Sequence, residues 1–324
     1  MPMKLKIGKF EFDNPWIQGP LAGYTHAAFR KNLWQGKLAY ACTEMLPASC
    51  VINELHDQSN RFTWRHPCEK VLCYQISGRN PGVLAQAATI LEDLGADIID
   101  LNAGCPKPKI RKKGCGSALL DDTSTLLECL DSLKQNSNCP VTVKIRVPNP
   151  NSTTSTSDLI KMICSTGVDA ITLHARNWQG GPIMPEHYIA AINAANCPII
   201  INGDIKTISE GLEQCKQVNA AGFMIAREGF KKPWMYNMTK IGQETFLHYI
   251  KEHLFGMQQF MSERTILLQA RSIMHYYSKD LSREVSSKIL TATFEAQTLD
   301  NLMTELTKII TSTSELLPSD LFDQ

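Results

Sequence analysis

Eight short apolar runs recur over the first three quarters of the chain, each closed by glycine, proline or a polar residue. They are WIQGPLAG at 16–23, LAYACTEM at 38–45, VLCYQIS at 71–77, DIIDLN at 97–102, VTVKIRV at 141–147, DAITLHAR at 169–176, PIIINGD at 198–204 and GFMIAR at 222–227. Near-continuous apolar character over so few residues suits strands buried on both faces, as in a parallel sheet. Helical periods lie between them. The clearest is 81–94, where Val83, Leu84, Ala87, Ala88, Leu91 and Leu94 recur at helical spacing before Gly95. Thr25 is placed to cap a helix through Ala28, Phe29, Leu33 and Trp34. Further helices are predicted at 116–133, 158–164, 186–195, 209–218 and from 232 to 243. Alternating strands and helices imply right-handed βαβ units, and eight units within 16–243 predict a closed (β/α)8 TIM barrel. An open doubly wound sheet is the weaker alternative, because no GxGxxG opens the first strand–helix turn.

From Glu244 the strand signals stop while helical spacing persists through Leu247, Ile250, Leu254, Met257, then Ile266, Ala270, Ile273, Met274 and Tyr277. The expected organisation is a barrel domain over 1–243 and an all-helical bundle domain over 244–324, ending in a frayed acidic tail from Glu315 to Gln324.

Composition narrows the class. The 324 residues are 43% hydrophobic and 20% charged, a globular balance. The net charge of +1 gives no whole-molecule field, so any nucleic-acid site depends on local clustering. Eleven cysteines show no CxxC and no Cys/His ligand spacing, so no metal site is expected and the thiols are read as reduced. MPMKLKIGKFEF lacks an apolar signal region, and no run approaches the roughly 18 apolar residues of a membrane span. A cytoplasmic monomer is expected.

In a (β/α)8 barrel, chemistry sits at the carboxyl ends of the strands. Gln75, Asn102, Cys105, Lys144, His174, Arg176, Asn202, Asp204 and Arg227 all fall at or near those ends. A lysine inside a doubly buried strand is costly unless paired, so Lys144 points to function. Cys105 stands at a strand exit between Gly104 and Pro106, a poor place for packing and a good one for reactivity. Cys115, between Gly114 and Gly116, is the rival thiol or a small turn residue. Lys107, Lys109, Arg111, Lys112 and Lys113 form a basic loop that is either a solvated face or a phosphate contact. Asn202-Gly203-Asp204 and Ala226-Arg227 close the last two strands, where barrels often bind phosphate. A lysine and a histidine across the mouth from a phosphate suggest a cofactor lying over the barrel, and a lysine near the electron-rich edge of a flavin is one way to stabilise its anionic reduced ring.

The ordered set of motifs PLAGYT at 20–25, TEM at 43–45, QISG at 75–78, DLNAGCP at 100–106, GSALL at 116–120, VKIR at 143–146, LHAR at 173–176, INGD at 201–204 and MIAR at 224–227 resembles the bacterial tRNA-dihydrouridine synthases, B branch, over nearly the whole length. The resemblance implies an FMN- and NADPH-dependent oxidoreductase that reduces uridine in the tRNA D-loop to 5,6-dihydrouridine. It implies cofactor contacts from Pro20, from Leu21, Ala22 and Gln75 along the flavin ring, and from Lys144 and His174. Asn202, Gly203, Asp204, Ala226 and Arg227 then hold the ribityl and phosphate groups. Cys105 becomes the general acid, Asn102 a uracil contact, and Arg176 an RNA contact. Lys107, Lys109, Arg111 and Lys112 would face RNA, as would Arg271 of the helical domain. The chain departs from the family pattern at His26, at Ala226, at Ser272-Ile273 where a basic pair is usual, and in a short 176–186 segment. Two other readings stay open: a flavin barrel acting on a free pyrimidine or small carbonyl compound, of the dihydroorotate dehydrogenase kind, and a catalytically silent tRNA-binding protein.

Overall fold

Each of the eight apolar runs forms a strand. The computed structural model describes residues 3–34, 36–55, 57, 60–237 and 242–313. In chain order the strands are β1 (Leu5–Ile7), β2 (Phe10–Phe12), β3 (Trp16–Gln18), β4 (Ala41–Cys42), β5 (Leu46–Pro47), β6 (Leu72–Ser77), β7 (Ile98–Ala103), β8 (Val141–Arg146), β9 (Ala170–His174), β10 (Ile199–Asn202) and β11 (Gly222–Ile225). Parallel pairing runs β3, β4, β6, β7, β8, β9, β10, β11 and back to β3, closing the barrel. Strand β5 is a two-residue addition on β6.

Helices α1 (Ala27–Leu33), α2 (Ala48–Glu54), α3 (Pro81–Asp93), α4 (Pro108–Arg111), α5 (Thr123–Asn136), α6 (Thr156–Ser165), α7 (Glu186–Ala194), α8 (Ile208–Val218) and α9 (Arg227–Lys231) make the connections. Then α10 (Gln243–Gly256), α11 (Glu263–Tyr277), α12 (Arg283–Glu295) and α13 (Leu299–Thr311) pack on one another beside the barrel. Seven of the thirteen α-helices among the described residues start on a side-chain cap: Asn80 for α3, Asp122 for α5, Ser155 for α6, Thr207 for α8, Ser262 for α11, Ser282 for α12 and Thr298 for α13.

Three local expectations change. Thr25 does not cap α1: His26 holds the N-cap position, and the Thr25 hydroxyl bonds back to Leu21, closing the turn after β3. The predicted 116–133 helix is a 3₁₀ turn, Gly116–Leu120, followed by α5, because Asp122 caps a fresh start. The helix after the eighth strand is α9 at 227–231, not 232–243; Pro233 ends it and a 3₁₀ turn, Pro233–Asn237, follows. The acidic tail Glu315–Gln324 lies outside the described residues.

Register and the two-residue period decide which side chains point inward. Cys73 faces Ile98, Gln75 faces Asp100, Asn102 faces Lys144, His174 faces Asn202, and Met224 faces Ile17. The interior therefore has an apolar floor of Ile17, Cys42, Cys73, Ile98, Ala170 and Ile200, and a polar upper half. The β1–β2 hairpin plugs the floor: Leu5, Ile7 and Phe12 join the same cluster, while Lys6 and Glu11 pair on its outer side.

A second core runs without a break from the barrel's outer layer into the C-terminal helices. Phe230 of α9 lies 4.7 Å from Phe29 of α1 and stacks at 5.8 Å on Tyr277 of α11. Such ring pairs add about 0.5–1.5 kcal/mol each beyond their burial. Lys31–Glu252 and the pair Lys231 and Lys232 on Asp280 fasten the rim of this junction. Deeper, Arg30 of α1 forms a fully buried ion pair with Glu69 at 2.6 Å and donates to the carbonyls of Thr25 and Trp64.

Candidate active site

The polar half of the barrel interior is one hydrogen-bonded assembly. Asp100 sits at its base, fully enclosed, accepting from Thr142 Oγ1 at 2.6 Å and Gln75 Nε2 at 2.8 Å. Burial pushes its carboxyl above the usual range, while those two donors pull the other way. Gln75, its amide nitrogen fixed by the carboxylate, turns its oxygen to Asn102 Nδ2 at 2.8 Å. Asn102 Oδ1 then accepts from the backbone N–H of Gly104 and of Cys105, at 3.2 and 2.9 Å. A line of determined donors and acceptors thus runs from the barrel interior to the backbone of Cys105, and leaves one Asn102 N–H free.

On the neighbouring strand, beside Asn102, Lys144 Nζ donates to Asn202 Oδ1 at 2.7 Å, and Asn202 is fixed by Met224 O at 2.8 Å. Burial, then the neighbouring Arg146, lowers the Lys144 pKa to about 8; Asp100 and Cys105 are close enough to oppose this. His174 is driven to about 2, first by burial and then by Lys144, Arg146, Arg176 and Arg227. Its Nε2 is buried and has no hydrogen-bond partner among the described residues. Gly203 lies against that ring at φ +141°, and a Cβ there would come within 2.9 Å of His174 Cδ2 and 2.3 Å of Ile183 Cδ1.

Beyond His174 a cavity of about 300 Å³ opens between the ends of β9, β10 and β11 and helix α11. It is lined by Asn202, Gly203, Asp204, Ala226, Arg227, Lys206, Lys231, Tyr276 and Lys279. Asp204 bridges Arg176 and, at 3.3 Å, Arg227. Lys206, Arg227, Lys231 and Lys279 outnumber the carboxylates of Asp204 and Glu228 on its wall, even with Lys231 also paired to Asp280, and such a lining suits an anion. At the opposite rim, Glu44 accepts from Gly23 N at 2.6 Å and pairs with Arg61, holding the 19–25 loop that carries Pro20, Leu21 and Ala22.

The basic loop divides. Lys107, Lys109, Lys112 and Lys113 are exposed. Arg111 turns inward, bonding Ser117 Oγ at 3.0 Å, pairing with Asp121 at 2.7 Å and covering the Trp178 ring at 3.8 Å. Cys115 is a half-buried turn residue and all eleven cysteines are free thiols. Arg271 of α11 lies over the exposed Phe294, and Ile273 is buried in the helical core.

Several contributors escaped the sequence analysis. Asp100 and Thr142 were readable as polar residues on the inward parity of apolar strands. Arg146, whose Nε and Nη1 bind Gly104 O and Asn177 O, followed Lys144 in the VKIR motif. Lys279 reads in the sequence as one basic residue of the helical domain, and that it and Tyr276 wall the cavity has no local signal, because the closing of α11 over the cavity is a long-range event.

A closed (β/α)8 barrel with a cysteine, a lysine and an unpartnered histidine around one anion-binding mouth has the makings of an oxidoreductase site. The chain belongs to the dihydrouridine synthase family: the family model described as Dihydrouridine synthase (Dus) matches residues 17–312. The chain is 28% identical over 291 residues to a probable tRNA-dihydrouridine synthase of Rickettsia bellii, covering 86% of this chain and 89% of that one. It is 28% identical over 291 residues to tRNA-dihydrouridine synthase B of Pseudomonas aeruginosa, covering 88% and 85%. Among solved structures, a morphinone reductase variant in complex with tetrahydroNAD aligns with TM-score 0.54 at 10% identity over 70% of this chain and 86% of that one, a likeness of fold.

Proposed function

We propose that the protein reduces uridine in the D-loop of tRNA to 5,6-dihydrouridine, with FMN in the barrel mouth, NADPH as reductant and Cys105 as the proton donor. The observation that carries this reading is the line from Asp100 through Gln75 and Asn102 to the Cys105 backbone, continued on the next strands by Lys144 and His174. The unpartnered His174 Nε2, the spare N–H groups of Lys144 and the space kept by Gly203 suit a polar ring and its ribityl chain. Pro20, Leu21, Ala22 and Gln75 would border the ring, and the cation-lined cavity of Asn202, Gly203, Asp204, Ala226 and Arg227 would take the phosphate. Held by those residues, FMN would supply the hydride that uracil C6 receives, with NADPH as the source of electrons.

The chain's own residues do the rest. Asn102 offers its free N–H to a uracil carbonyl. Cys105 gives its thiol proton to C5. A uridine held loosely in a loop costs least to unstack into the mouth. Residues 1–243 act as the catalytic barrel and 244–324 grip the RNA. Lys107, Lys109 and Lys112 meet phosphates from the rim, Arg271 from α11, and Arg176 lies next to the target. The enzyme works in the cytoplasm as a monomer.

Cys105→Ala tests the assignment. The purified variant is expected to keep its flavin absorbance while dihydrouridine formation falls by about 10²–10⁴-fold. A variant as active as the parent removes the acid role. A protein that binds tRNA but forms no dihydrouridine with NADPH supports the silent reading instead.

A further inference from the structure

We infer that Trp178 is a positioning residue for the Cys105 thiol, acting through Arg111. The inference rests on the proposed role of Cys105 as proton donor. Its basis is a continuous set of contacts. The Cys105 carbonyl accepts from both the N–H and the hydroxyl of Ser117, each at 3.0 Å. Ser117 is fully buried, and its oxygen also accepts from Arg111 Nη1 at 3.0 Å. Arg111 is held on one side by Asp121 at 2.7 Å and on its flat face by the Trp178 ring at 3.8 Å. The neighbouring residue makes a second arm: Asn177 O accepts from Arg146, which also binds Gly104 O at 2.9 Å. The Asn177–Trp178 segment, after β9, therefore steadies the Gly104–Cys105 backbone through two arginines.

The role of each partner is physically distinct. Asp121 supplies charge to Arg111 but leaves the guanidinium plane free to swing; a ring stacked on that plane removes the swing. The indole N–H of Trp178 is buried and makes no hydrogen bond among the described residues, so the side chain acts as a flat apolar face. Crowding keeps the arrangement narrow, since a Cβ on Gly116 would lie 2.7 Å from the Cys105 carbonyl oxygen. A thiol displaced by about 1 Å from its proton acceptor loses on the order of a hundredfold in rate.

The test uses the full-length holoenzyme and unmodified tRNA. Trp178→Ala is expected to lower kcat about ten- to a hundredfold, with the KM for tRNA and the flavin content unchanged. Its Cys105 is expected to be alkylated by iodoacetamide several-fold faster, read peptide by peptide. Trp178→Phe, which keeps a flat face and loses no hydrogen bond, restores both values to near those of the parent. Arg111→Lys keeps the charge and loses the stack; it behaves like Trp178→Ala, and the double variant loses nothing more. The inference is overturned if Trp178→Ala raises KM with kcat intact, which marks an RNA contact. It is equally overturned if Cys105 alkylation does not change, or if Phe is no better than Ala. Failure of the acid reading shows separately, as activity in Cys105→Ala, because the alkylation measurement does not depend on turnover.

Discussion

His174 is the residue whose chemistry differs most from its ordinary state. Burial and four neighbouring cations hold its pKa near 2, so the ring is neutral throughout the working range of the protein. A neutral imidazole offers one donor and one acceptor, whereas Lys144, at about 8, remains mostly a cation at neutral pH. The wall therefore presents one charge and one adaptable partner instead of two like charges. NMR of the ring is expected to show no titration for His174 between pH 8 and 5. A midpoint inside that range would mean that the surrounding cations are further away or compensated. Lys144 and His174 were legible in the sequence because each breaks an apolar run. Trp178 was not: in the sequence it is one aromatic in a polar loop, and its meaning comes from Arg111, 67 positions earlier in the chain.

At the scale of elements, the best-read parts are strands buried on both faces, since their apolar runs leave no alternative period. The β1–β2 hairpin went unread because each strand has three residues and one side in water. Helix α9 was misplaced because Ala226-Arg227 reads both as a strand end and as a helix start. The join between α1 and α10 holds a different kind of information. His26, at the start of α1, and His253, within α10, are fully buried with their Nε2 atoms 3.5 Å apart, and His253 bonds the Tyr277 hydroxyl at 2.8 Å. Burial lowers both pKa values, that of His253 to about 3. The sign follows directly. Below the ordinary value of 6.5 the unfolded chain takes up protons that the folded one refuses, so stability present above pH 6.5 is lost as pH falls toward 3. Each such histidine contributes a slope of about 1.4 kcal/mol per pH unit in that window. Urea midpoints measured from pH 6.5 to 5 are expected to fall less steeply in His253→Phe than in the parent. An equal slope would mean that the pair is protonated in the folded state.

For the molecule as a whole, the barrel and the C-terminal helices share one core, and α11 with the turn after it brings Tyr276 and Lys279 to the cation-lined cavity. The class of fold and the family were readable because the motifs recur in barrel order. What could not be read was that the helical part also walls the cavity, since that depends on how α9 and α11 meet. The plug beneath the barrel carries a final consequence. Leu5, Ile7 and Phe12 seal the amino-terminal end among the described residues, so the proposed flavin would be reached from the mouth at the carboxyl ends of the strands. On the proposed function, hydride donor and RNA would use it in turn, one leaving before the other arrives. Initial rates measured against both reactants are expected to give parallel double-reciprocal lines, the signature of an alternating cycle. Intersecting lines would require room for both at once.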